Sequence, residues 1–238
     1  MRLSILAAVA ALTLTAPVSA QDLSEADVKK LVLETILENP EIVMQAIDIL
    51  RAKDDQDKEG AQQQAYLDNE ELLKNDPNAP VLGNPDGDVT IVEFFDYNCG
   101  YCKRAMVVMQ AVLKTDKKLR VVYREFPILS EGSVFAARAA LASRAQGRYE
   151  EFHWALMSAQ TADETSVMKI AEQIGLDVAK LRVDMDAPEV AEHIQTSRDV
   201  ANAMQFTGTP SFIIGDEIVG GYIPQDVMEE VIADARKG

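Results

Sequence analysis

Val89-Thr90-Ile91-Val92-Glu93-Phe94-Phe95-Asp96-Tyr97-Asn98-Cys99-Gly100-Tyr101-Cys102-Lys103 is the stretch on which the reading of this chain turns. Its first seven residues are β-branched or aromatic apart from Glu93, the composition of a buried central strand. Residues 100–113 then carry an amphipathic helical pattern, and residues 119–126 read as a second strand. Strand, helix and strand at these lengths imply a right-handed crossover and parallel pairing. At the junction of strand and helix stand Cys99 and Cys102, the two cysteines of the chain.

Working outward, the N-terminus has the form of an export signal. Arg2, an uncharged apolar run over residues 3–14 and Val18-Ser19-Ala20 predict a signal peptide over residues 1–20, cleaved after Ala20. The apolar run is short for a bilayer span. Net charge is −16 over 238 residues, and loss of Arg2 with the leader makes it −17. Such acidity repels phosphate backbones and anionic lipid surfaces, so no nucleic-acid partner is expected. Oxidising compartments favour structural disulfides, yet a bridge across so small a ring removes little chain entropy. The pair is therefore read as chemistry.

Residues 21–79 read as a helical stalk. Ser24 and Asp27 form a capping-box pattern, and Asn39-Pro40-Glu41 restarts a helix. Apolar stripes precede residue 50, and a polar run follows over residues 51–64. A stripe that finds no local cover points to a partner chain, and a homo-oligomer through residues 21–75 is expected. Refolding of these helices onto their own domain is the alternative. Residues 131–206 are helical in pattern, with Gly147 and Gly175 as stops and a capping box expected at residues 161–164. Residues 211–219 spell a hairpin around Gly215-Asp216, and a terminal helix runs over residues 224–235.

Thiol exchange needs a thiolate, which a helix N-terminus stabilises. Cys99 is thus expected to be the exposed nucleophile and Cys102 the buried resolving thiol. Lys103 and Arg104 are either thiolate stabilisers or surface cations with packed stems. Glu93 is either a buried carboxyl that exchanges a proton with Cys102 or a residue pointing out from an edge. A cis bond at Thr209-Pro210 would leave the Thr209 backbone free to pair with an extended client chain. Two thiols suit Cu(I). Zinc would need more ligands, and only His153 and His193 remain, remote in sequence, so no metal site is expected.

Residues 92–103, the helical insertion and Gly208-Thr209-Pro210, in this order, resemble the DsbA family over about residues 80–238. The resemblance implies an α/β thioredoxin fold with an inserted helical subdomain over about 131–206, behind the N-terminal segment 21–79. It implies a cis Pro210 beside the redox pair and Glu93 as the buried acid below it. It places the protein in the periplasm, without a cofactor. The partners it implies are client proteins with cysteines or disulfides and a membrane redox protein that reduces or oxidises the pair. Residues 21–79 resemble the oligomerisation region of the suppressor-of-copper-sensitivity protein C (ScsC) subgroup. Gly100-Tyr101 and Thr209 resemble the disulfide isomerase DsbC, with Tyr101, Thr209 and Pro210 at the client site. Strong oxidases of the family typically carry Pro-His between the cysteines. Without that imidazole the reduced form should be less stabilised and the pair less oxidising. Isomerase or reductase is therefore favoured. The alternatives are a dithiol oxidase, a Cu(I)-handling protein using the same thiols, and a binding module whose thiols are vestigial.

Overall fold

In the computed structural model, which describes residues 24–237, the chain enters through α1 (Glu25–Glu38). Ser24 accepts the Asp27 N–H while the Asp27 carboxylate accepts the Ser24 N–H, the reciprocal box expected from sequence. The signal peptide expected at residues 1–20 lies outside the described residues. Asn39 and Pro40 separate α1 from α2 (Glu41–Asn75).

Two compact units divide at Asp54 and Asp55. The first holds α1 and the beginning of α2. No residue of α1 is buried, and Leu31, Leu37, Ile49 and Leu50 are all more than half exposed. The apolar stripe read from the sequence is therefore open.

The second unit is built on a five-stranded sheet of β1 (Val81–Gly83), β2 (Val89–Phe95), β3 (Leu119–Glu125), β4 (Ser211–Ile214) and β5 (Glu217–Gly220). The strand order is β1-β3-β2-β4-β5, with β2 and β3 parallel and the other pairs antiparallel. α3 (Gly100–Thr115) makes the crossover from β2 to β3. The insertion between β3 and β4 comprises α4 (Glu131–Ala142), α5 (Tyr149–Ser158), α6 (Glu164–Gln173), α7 (Val178–Asp184) and α8 (Pro188–Ala203). The capping box of α6 is made by Asp163 and Ser166 and not by Thr161 and Glu164, because the helix begins at Glu164 and Asp163 is therefore its N-cap. Gly215 takes φ +66° in the β4–β5 turn, and α9 (Gln225–Ala235) closes the chain.

Alternation along the strands sorts the core. Ile91, Phe95, Val121, Tyr123 and Phe212 face a cluster shared with α3, α5 and α9. Val92, Phe94, Val122 and Ile213 face the other side, against Tyr66 and Leu73 of α2 and Val200 and Met204 of α8. Each fully buried apolar side chain of this size contributes roughly 1.5–3 kcal/mol. The last turns of α2 therefore belong to the sheet-containing unit. They are pinned by β3, where Arg120 donates to Lys74 O at 2.6 Å and Arg124 donates to Leu72 O. These carbonyls lie at a helix end, where intrahelical partners run out. Arg124 is fully buried and pairs with Asp76 at 2.5 Å, which offsets the cost of burying its charge.

Candidate active site

The turn before the cysteines is shaped by carboxamide and carboxylate side chains. Asp96, buried at the end of β2, accepts the N–H groups of Asn98 at 2.8 Å, Ile128 at 2.9 Å and Leu129 at 3.0 Å. Asn98 accepts the Ala162 N–H at 2.8 Å and donates to Ala162 O and Ser133 Oγ, both at 3.1 Å. The loop is thus tied to the helical insertion on both sides. Neither Asp96 nor Asn98 is among the residues expected from the sequence, although Asp-x-Asn ahead of Cys99 is the composition of a side-chain-stabilised turn.

Cys99 is the N-cap residue of α3, which sets its sulfur beside the N–H groups of the first turn. The exposed nucleophile expected from sequence is more covered than that. Cys99 is 8% exposed and Cys102 0%. The cover comes from the Thr209–Pro210 loop, whose peptide bond is cis and whose Thr209 carbonyl accepts from Cys99 Sγ at 3.2 Å. Cys99 is still the more accessible thiol, and both are free.

A hydrogen bond from Cys102 is the main cause that brings the Cys99 thiol down to about 5; burial opposes it, and the Thr209 side chain and the N–H groups of Cys102 and Tyr101 add to it. At neutral pH the sulfur is a thiolate with no imidazole beside it, so the stabilisation expected to be missing is supplied by these donors. Burial pushes the Cys102 thiol far up, and its bond to Cys99 and the Glu93 charge push the same way.

Glu93 is 1% exposed and sits between Tyr123 on β3 and Phe212 on β4, so the outward-facing alternative does not hold. It shares its sheet face with Ile91 and Phe95, the side covered by α3 and Cys102. Its Oε1 has no hydrogen-bond partner among the described residues. Burial, then the charge of Cys99, pushes its carboxyl up to about 8, and it carries a proton at neutral pH.

Lys103 and Arg104 go elsewhere. Lys103 Nζ donates to Ala159 O at 2.5 Å and Gln160 O at 2.9 Å, just past the end of α5. A cation is favourable there because the helix C-terminus is electronegative. The Arg104 guanidinium lies 4.1 Å from the Tyr101 ring centre and 5.5 Å from that of Tyr222. Neither side chain hydrogen-bonds the Cys99 sulfur among the described residues. Tyr101 is 55% exposed at the mouth of the site. Tyr222, which no local pattern marks, arrives from the far end of the chain.

The two histidines engage other side chains. Tyr97 Oη meets His153 Nδ1 at 3.0 Å, and burial brings the imidazole down to about 3, so it is neutral. His193 Nε2 lies 2.7 Å from Glu125 Oε2. No group of three or more His, Cys, Asp or Glu side chains among the described residues is arranged to hold a metal ion.

A dithiol at the start of a helix, on a mixed sheet of this order, is the arrangement of a thioredoxin-fold thiol–disulfide oxidoreductase. Residues 90–233 match the DSBA-like thioredoxin domain, and the chain belongs to that family. Residues 25–56 match the copper resistance protein ScsC N-terminal domain. A thioredoxin-like oxidoreductase from Silicibacter pomeroyi DSS-3 is 56% identical, covering 71% of this chain and 98% of that one with a TM-score of 0.69. Proteus mirabilis ScsC in a compact conformation is 27% identical over 88% of this chain and 97% of that one, at a TM-score of 0.66. Disulfide bond formation protein D of Bacillus subtilis is 26% identical over 67% of this chain and 78% of its own length. The Na(+)/H(+) antiporter NhaA 3 of Salinispora tropica is 30% identical over 139 residues, 56% of this chain. The chain spans only 21–26% of the length of such antiporters, and none of its described helices is long and apolar enough to cross a membrane.

Proposed function

We propose that this protein is an exported, periplasmic thiol–disulfide interchange protein that acts as a disulfide isomerase or reductase. The observation that carries the reading is the asymmetry of the two thiols. Cys99 is a thiolate at neutral pH, while Cys102 is fully buried and protonated. The Cys99 thiolate attacks one sulfur of a client disulfide, the client S–S bond breaks, and the departing client sulfur leaves as a thiolate. If that thiolate attacks elsewhere in the client, the disulfide has been moved. If instead Cys102 loses its proton and attacks Cys99, the client leaves reduced and Cys99–Cys102 leaves as a disulfide. Bonding of Cys99 in the mixed disulfide removes the charge that helps to keep Glu93 protonated, and in its ionised form Glu93 takes the Cys102 proton and later returns it. Thr209 and Pro210, with Tyr101, hold the client segment.

Stabilising the Cys99 thiolate favours the reduced form and makes the pair more oxidising. The isomerase direction rests instead on Gly100-Tyr101 and Thr209, between and beside the thiols, and on the open apolar stripe. The open apolar stripe of the first unit supports assembly into an oligomer, in which several sites grip one client. A membrane redox protein would reset the pair. The test of the nucleophile is trapping: a Cys102→Ala variant accumulates a mixed disulfide with client through Cys99. Trapping through Cys102 in a Cys99→Ala variant, with none through Cys99, would reverse the roles.

The likeness of residues 25–56 to a copper resistance domain favours one second reading, Cu(I) carried by the same thiol pair. Stoichiometric Cu(I) binding that blocks alkylation of both cysteines, in a protein without exchange activity, would establish it in place of the first.

A further inference from the structure

Contacts around the Cys99 sulfur close into a ring. Thr209 O lies 3.2 Å from the sulfur, and Gly221 N–H donates to Pro210 O at 2.9 Å. The next residue, Tyr222, lies against Arg104, and Arg104 lies over Tyr101, between the two cysteines. Two aromatic faces hold the guanidinium in place, yet it has no hydrogen bond or ion pair among the described residues and is exposed. Its edge donors, the part that recognises a carboxylate, are left for a ligand. Lys103 is already spent on the Ala159 and Gln160 carbonyls, so Arg104 is the available cation on this turn.

A groove of about 320 Å³ runs from the other side of the same loop, lined by Thr209, Pro210 and Gly221 and, from α2, by Lys58 and Gln62. Gln62 is fixed to Met204 O at 2.9 Å, whereas Lys58 is exposed without a partner among the described residues. No aspartate or glutamate lines this groove, in a chain whose net charge is −16. The loop that covers Cys99 thus has two cations without an ion-pair partner near it, Arg104 through Tyr222 and Lys58 in the groove lining, although Asp54, Asp55, Asp57 and Glu59 surround Lys58 on α2.

We propose that Arg104 and Lys58 are specificity-determining residues that select client segments carrying aspartate or glutamate next to the reacting cysteine. The inference rests on the exchange reading above and adds the substrate class. Arg104 contributes a stacked, pre-oriented guanidinium, and Lys58 a mobile point charge further along the groove.

Two disulfide-looped peptides, identical except for glutamate or glutamine beside one cysteine, test it. The rate of their reduction by the full reduced protein is divided by the rate with dithiothreitol, which removes the intrinsic effect of the charge on the peptide disulfide. The expected ratio favours the glutamate peptide roughly threefold, the scale of one exposed ion pair, and shrinks as salt is raised. Arg104→Gln brings the ratio toward one, Lys58→Gln lowers it less, and Arg104→Glu inverts it. A ratio of one in the wild type, or one unchanged by Arg104→Gln, overturns the proposal. No reduction of either peptide would overturn the exchange reading, and the proposal with it.

Discussion

Replacing Glu93 by glutamine in the reduced protein has a calculable consequence for stability. The carboxyl titrates at about 8 in the fold, against an ordinary value of 4.5. Because the folded value is the higher one, the fold holds a proton that the unfolded chain has released. Stability from this group is therefore full below about 4.5 and falls as the pH rises through the interval to about 8. At pH 7 the loss is roughly 3 kcal/mol, from about 1.4 kcal/mol for each pH unit above the unfolded value. Glutamine is close in shape and does not titrate, so the variant lacks this slope. Cys99 contributes the opposite slope, because its pKa is lower in the fold than in the unfolded chain and its stabilisation grows with pH. Below pH 7 Glu93 is neutral in the fold, so Cys99 titrates alike in both proteins and cancels in the difference. Urea unfolding of the two reduced proteins at several pH values reads that difference directly. It should be near zero at about pH 4.5 and reach roughly 2–3 kcal/mol in favour of the variant at about pH 7. Parallel pH profiles, or a variant less stable throughout, would show that Glu93 is ionised or satisfied in the fold and would refute the argument.

Other outcomes follow from the same geometry. The ultraviolet absorbance of the Cys99 thiolate should titrate at about 5, and Cys102→Ala, by removing its main hydrogen bond, should raise that midpoint by roughly a pH unit or more. Lys103→Met should cost about 1–3 kcal/mol in urea unfolding, through two carbonyls losing their donor. It should leave the Cys99 midpoint nearly where it was, whereas a large rise would return Lys103 to the role of thiolate stabiliser. Removing residues 21–54 should yield a folded monomer by light scattering, because the sheet-containing unit begins at Asp55. Removing residues 21–75 also strips Tyr66 and Leu73 from the core and should yield a destabilised or aggregating protein.

Much of this was legible along the chain because the signals are local. The Ser24–Asp27 box, the β-branched run before Cys99, the stop at Gly147 and the Gly215 turn each depend on neighbours in sequence. What escaped is set by tertiary contacts. Polarity over residues 51–64 marks α2 as solvated, but the burial of Tyr66 and Leu73 depends on Val92 and Ile213 arriving on the same sheet face. Lys103 and Arg104 are equivalent by position, and only the end of α5 and the ring of Tyr222 give them different tasks. Cys99 is covered by Thr209, distant in sequence, which pattern reading places nearby only through the family resemblance. The helix terminus accounts for only the smaller causes of the low Cys99 pKa, the N–H groups of Cys102 and Tyr101. The larger ones, the Cys102 and Thr209 side chains, come from the folded site.

Refolding of scrambled ribonuclease by the reduced full-length protein tests the account most directly. The account predicts catalytic recovery of ribonuclease activity that disappears in a Cys99→Ala variant. No recovery, together with rapid oxidation of a reduced dithiol peptide by the disulfide form, would contradict it and make this protein an oxidase.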